Sequence, residues 1–175
     1  MIVNIGWSRQ VLIDALSVLN KLYDLTHDED AKYDIKVFDN LNDITHDPED
    51  YTNGLNRLRK FATAIQDQKL NEICNIFQTE IEKQSELIDI DLDSKDIEIL
   101  KHIKQKLRLS DEKQHVLSCL NFDVSYQITN NLYDFTKQSK QTRFKCELAL
   151  NTLKDYSIVY KENIDILIKK FEEKL

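Results

Sequence analysis

Three patterns in this 175-residue chain place side chains at spacings that could do chemistry. "LIDIDLDSKDIEIL" (87–100) sets Asp89, Asp91 and Asp93 at alternate positions, the way a calcium loop begins. Taking Asp89 as the first ligand puts Ser94 where the loop needs glycine and Leu100 where a bidentate glutamate closes the shell. The cation would lack its strongest ligand. The segment reads better as an extended or irregular apolar anchor (Leu87, Ile88, Ile90, Leu92) leading into a helix capped by Asp93 or Ser94. "LTHDED" (25–30) and "ITHDPED" (44–50) carry the His-Asp doublet of metal-dependent phosphohydrolases. That site also needs an upstream His and a distant Asp on core helices, whereas both doublets fall in hydrophilic junctions where Thr or Asp can start a helix. Glu112-x-x-His115 has the spacing of di-iron bundles, which need a second such pair that the four histidines do not supply. No metal and no cofactor is expected.

Arg108 and His115, with six residues between them, resemble the Arg-x(4–6)-His motif of the HEPN family, helical-bundle proteins many of which are metal-independent ribonucleases. The resemblance covers eight residues, with Leu109 where that family usually has a polar side chain. It implies that Arg108 binds the scissile phosphate and that His115 serves in acid–base chemistry or charge stabilisation. The same segment also reads as a solvated helix junction capped by Ser110, and outside this pair no catalytic residue is expected. Gly6 and Gly54 are the only glycines, so no Gly-rich phosphate loop can form, and no G-x-S-x-G is present. The basic runs "KHIKQKLRL" (101–109) and "KQSKQTRFK" (137–145) hold few arginines, their aromatic residues are not interleaved as stacking platforms, and their apolar positions are spaced for a core. They read as solvated helix faces, and direct nucleic-acid binding is not expected.

The elements that must position these residues are helices. Two glycines and one proline cannot supply the turns of an all-β fold. The expected architecture is all-α, a single-domain irregular helical bundle over residues 1–175, with seven or eight helices and at most one short strand pair. Trp7, Val11, Leu12, Ala15, Leu16, Leu19, Leu22 and Tyr23 recur at helical spacing behind Ser8 as cap. "YDIKVFDNL" (33–41) fits a short strand or a turn of helix. Asp47, Pro48, Glu49 and Asp50 form a start signal for a helix burying Tyr51, Leu55, Leu58, Ala62 and Ile65. A break near Asp67–Lys69 precedes Leu70, Ile73, Ile76, Phe77 and Ile81. Ile97, Leu100, Ile103 and Leu107 mark a fourth helix; Ser110 opens a fifth with Val116, Leu117 and Leu120; a sixth starts near Asp123. The last 35 residues make one long helix or two.

Charge is the property left to carry function. The net charge of −7 divides into an acidic stretch, residues 1–100, with 10 Lys/Arg against 21 Asp/Glu, and a mildly basic one, 101–175, with 14 against 10. Acids are densest between Asp24 and Asp50. A non-enzymatic interaction module is therefore expected, its acidic face docking on a basic protein such as a nuclease toxin or another nucleic-acid-binding effector, in the manner of an immunity protein, antitoxin or phage-encoded inhibitor. The candidate contacts are Asp28, Glu29, Asp30, Asp34, Asp39, Asp43 and Asp47. A HEPN-like ribonuclease and a scaffolding or assembly subunit are the alternatives. No apolar run has the length of a membrane span and no secretory leader is evident. Cys74, Cys119 and Cys146, without C-x-x-C spacing, read as core hydrophobes in a cytoplasmic protein without membrane contact.

Overall fold

Apolar spacing turns into burial most completely in the first helix. The computed structural model describes residues 8–39, 48–115 and 122–175, with side chains described except at 39, 109–115 and 122–129. α1 (Arg9–Thr26) turns Leu12, Ala15, Val18, Leu19 and Leu22 inward. Ser8 supplies the extended backbone of an N-cap but no side-chain bond, and Trp7 lies outside the described residues. His27 ends the helix in the left-handed conformation (φ 52°), its amide donating to the Tyr23 carbonyl. That compact stop lets α2 (Glu29–Asp39) begin two residues later. "YDIKVFDNL" is thus helical through Asp39, with Ala31, Val37 and Phe38 buried.

α3 (Asp50–Ala64) starts later than its Asp-Pro signal implies: Pro48 and Glu49 form a turn, and Glu49 is the cap residue. Asp47, the expected cap, lies outside the described residues. Tyr51, Leu55, Leu58 and Ala62 are buried as expected, while Ile65 follows the helix half-exposed. The break near Asp67 is present. Asp67 Oδ1 accepts from the Lys69 and Leu70 amides at 2.9 and 3.2 Å and opens α4 (Gln68–Ser85), which buries Cys74, Phe77, Ile81 and Gln84 and turns Ile76 outward.

These four helices enclose one core. Phe38, Tyr51 and Phe77 meet edge to face, with ring centroids 5.1 to 6.0 Å apart. Gly54 lets α3 approach this cluster, since a Cβ there would lie 2.5 Å from Phe38 Cε2.

Residues from Glu86 onward build a second core. β1 (Leu87–Asp89) pairs antiparallel with β2 (Lys140–Thr142), Ile88 opposite Gln141. Ile88 and Ile90 point inward and Leu87 and Asp89 outward, so the acid–aliphatic alternation of 87–92 is that of a short edge ladder. α5 (Ser94–His115) follows as one unbroken helix, and the separate helix expected from Ser110 is corrected to its last two turns. Its start is a reciprocal cap: Asp93 Oδ1 accepts from the Lys95 and Asp96 amides at 2.8 and 3.0 Å, and Asp96 Oδ2 accepts from the Asp93 amide at 3.0 Å. α6 (Phe122–Lys137), α7 (Arg143–Tyr160) and α8 (Asp165–Glu172) complete the unit, the last 35 residues resolving into two helices. Leu100, Ile103, Leu132, Phe135, Cys146, Ala149, Leu153, Leu167 and Phe171 fill the second core.

Among the described residues the protein is all-α, with eight helices and one short antiparallel strand pair. The chain gathers into two compact units, one made of the described residues of Gly6–Ser85 and the other of Glu86–Leu175. Cys74 lies in the first core and Cys146 in the second, both as free thiols. Burial pushes the Cys146 thiol up to about 12, so it is protonated and inert at neutral pH; Cys119 lies outside the described residues. No helix among the described residues is long and apolar enough to cross a membrane.

Candidate protein-docking site

The acid-rich segment is organised by a residue from another helix. Asp28 stands between α1 and α2, where its Oδ1 accepts from the Asp30 amide at 3.0 Å and starts α2. The first His-Asp doublet is therefore a stop followed by a cap. The second, at His46 and Asp47, lies outside the described residues.

Asp34 falls one turn after Asp30 on the inward side of α2, between Ala31 and Val37, and is 2% exposed. A carboxylate at such a position needs a compensating charge. Arg57 of α3 supplies it, its Nε donating to Asp34 Oδ2 at 2.5 Å. The remaining guanidinium nitrogens reach Asp28 Oδ2 at 3.2 Å and Asp30 Oδ2 at 3.3 Å. One cation thus gathers three carboxylates. Burial pushes the Asp34 carboxyl above its usual range, against the pull of Arg57, and Asp30 and Asp28 add to the rise.

Of the seven expected partner contacts, the structure brings Asp28, Asp30 and Asp34 together. Asp34 is corrected from a surface contact to an internal one, because its carboxylate is buried and committed to Arg57. Glu29 and Asp30 keep side chains 74% and 79% exposed, and Asp28 is partly exposed. Glu29 also pairs with Lys32 at 3.4 Å, an exposed contact that contributes little to stability. Asp39 closes α2, its side chain undescribed; Asp43 and Asp47 lie outside the described residues.

Comparisons with protein-family models, curated proteins and solved structures find no match.

The sequence reading missed two apolar neighbours of these acids, Leu25 and Tyr33, which are 72% and 63% exposed. Leu25 lies in the last turn of α1. Tyr33 follows Glu29 by four residues and Asp30 by three, so it shares their flank of α2. Two large exposed apolar side chains thus accompany the carboxylates of the α1–α2 segment. Reading 29–39 as a helix would have exposed the pattern, since Ala31, Asp34, Val37 and Phe38 then share its buried face.

Arg108 and His115 lie on α5, seven positions apart and hence about two turns along one face. The second unit holds a further polar network around Glu162. Glu162 accepts from the Tyr156 hydroxyl at 2.7 Å and from Lys106 Nζ, and His102 Nε2 lies 3.9 Å away. These hydrogen bonds from Lys106 and Tyr156 hold its carboxyl below the usual range. Burial, with the Glu162 charge adding to it, raises the Tyr156 phenol, which makes it a fixed donor and no nucleophile. The network ties the α7–α8 connection to α5.

Proposed function

We propose that the protein is a non-enzymatic interaction module whose acidic α1–α2 junction docks on a basic, nucleic-acid-acting protein, as an immunity protein, antitoxin or phage-encoded inhibitor does. The observation that carries this reading is the pairing of exposed Glu29 and Asp30 with exposed Leu25 and Tyr33, on a junction braced by Arg57. Carboxylates there would occupy the partner's phosphate sites, speeding encounter and excluding other partners, while Tyr33 supplies buried area. Bracing matters because a pre-ordered patch loses less entropy on binding.

The test is affinity capture from the native host by the wild-type chain and by a Glu29→Lys, Asp30→Lys double variant. Asp34 stays intact because reversing a buried charge would disturb folding. Expected is salt-sensitive capture of a basic nucleic-acid-acting protein, lost in the double variant at an unchanged circular dichroism spectrum. Unchanged capture by the variant rules the reading out.

The unbroken course of α5 favours a second reading, the HEPN-like ribonuclease, because Arg108 and His115 share one rigid element. It requires metal-independent RNA cleavage that disappears in His115→Ala; wild-type protein inert toward RNA excludes it.

A further inference from the structure

Among the described residues, some lysines of the second unit are paired with carboxylates and others are not, the latter including Lys95, Lys140, Lys161 and Lys174. Lys106, Lys145, Lys154, Lys169 and Lys170 each sit within 4.0 Å of a carboxylate. Lys101, Lys104 and Lys137 have no carboxylate partner among the described residues. Two of these three converge on one ring, Lys104 Nζ 3.6 Å and Lys137 Nζ 4.3 Å from the centroid of Tyr133. Lys101 and Lys104 lie one turn apart on α5, and Tyr133 and Lys137 one turn apart on α6. Lys104 on Tyr133 joins the two pairs into a continuous basic track with an aromatic centre. Asp134, which follows Tyr133 on α6, is paired with Lys145 at 3.4 Å, and Glu98 stands one turn before Lys101 on α5.

We propose that Lys101, Lys104, Lys137 and Tyr133 bind single-stranded nucleic acid, the lysines on successive phosphates and the Tyr133 ring under a base. In the free protein both ammonium groups rest against the ring, an arrangement of modest strength at a partly exposed site. Phosphates offer them full charges instead, and their departure frees a ring that is already 37% exposed. Lysines that reach phosphates around an aromatic stacking platform are the pattern of strand-binding surfaces without sequence preference. An acidic peptide would satisfy the lysines but leave the ring unused, which separates the two ligands. The track is independent of the acidic junction and of Arg108 and His115, and strand binding is measured apart from either partner capture or cleavage.

The experiment is fluorescence anisotropy of labelled oligothymidylate, a strand without the 2′-hydroxyl that ribonuclease chemistry needs. Expected is binding at low salt with a log–log salt slope of about −2, as three phosphate contacts on a single strand give. Lys104→Gln with Lys137→Gln should flatten that slope by more than half. Tyr133→Leu should weaken binding by about 5- to 150-fold, the range for loss of one stacked base, while Tyr133→Phe restores it. A merely structural staple between α5 and α6 would instead lower thermal stability in Tyr133→Leu and leave strand affinity unchanged. That result, absence of binding at low salt, equal binding of a duplex, or equal competition by polyglutamate would each overturn the proposal.

Discussion

Gly54 decides how closely α2 and α3 approach. Its Cβ, if present, would sit 2.5 Å from Phe38 Cε2, and Phe38 is itself locked between Tyr51 and Phe77. Alanine is otherwise better than glycine in a helix interior by about 1 kcal/mol, so the substitution sets propensity against overpacking. Because the blocking atom belongs to a fully buried ring, overpacking wins, and Gly54→Ala should destabilise the protein by about 1–2 kcal/mol in urea unfolding. A rise in stability would show that the ring can yield. The same helix pair explains why the candidate site was only half legible. Asp28, Glu29 and Asp30 stand out as an acidic run, but the buried fate of Asp34 depends on its phase within α2, and Arg57 lies 23 residues further along. Local composition finds acids; a distant guanidinium decides which of them face solvent.

Helix starts were legible where a cap residue coincided with a break in the preceding helix. Asp67 follows Gln66, a left-handed residue (φ 55°), and caps α4 through two backbone amides. Asp67→Ala should therefore cost about 1 kcal/mol, and Asp67→Asn should recover most of it, as read from paired urea midpoints. Equal losses in both variants would mean that charge at the helix end, rather than hydrogen bonding, is what Asp67 supplies. Ser110-Asp111-Glu112 looks equally like a start, yet α5 runs straight through it. A start signal ends nothing by itself: no glycine or proline lies between Ser94 and His115, so the preceding helix has no reason to stop. The strand pair was legible as an extended segment at 87–92 and hidden as a pair, because its partner, Lys140–Thr142, has no strand pattern of its own and lies some fifty residues away. The meeting of Lys104 and Lys137 on Tyr133 was hidden for the same reason, since Tyr133 stands outside both basic runs.

At the scale of the whole molecule, the sequence places the change of charge near residue 100 whereas the fold divides at Ser85–Glu86. Residues 86–175 hold 15 Lys/Arg and 16 Asp/Glu, leaving the acidity to residues 1–85 with 9 against 15. Three of the six acids of 86–100 are thus counter-charges within their own unit: Glu86 binds Arg143 at 2.8 Å, and Asp93 and Asp96 bind Lys170. Such matching makes the second unit's stability depend on pH through carboxylates held in their charged form. Backbone bonds from Asp96 and Lys95 and the Lys170 ammonium lower the Asp93 carboxyl, as Lys106 and Tyr156 lower Glu162. For a depressed carboxyl the unfolded chain takes up protons first, so the stabilisation is complete above the ordinary carboxylate range and is lost as pH falls through the folded value. Glu162→Gln should therefore be less stable than wild type at neutral pH, with the gap between their urea midpoints closing as the solution is acidified. A gap that stays constant with pH would mean that Glu162 holds the α7–α8 connection by hydrogen bonding alone, with its charge contributing nothing.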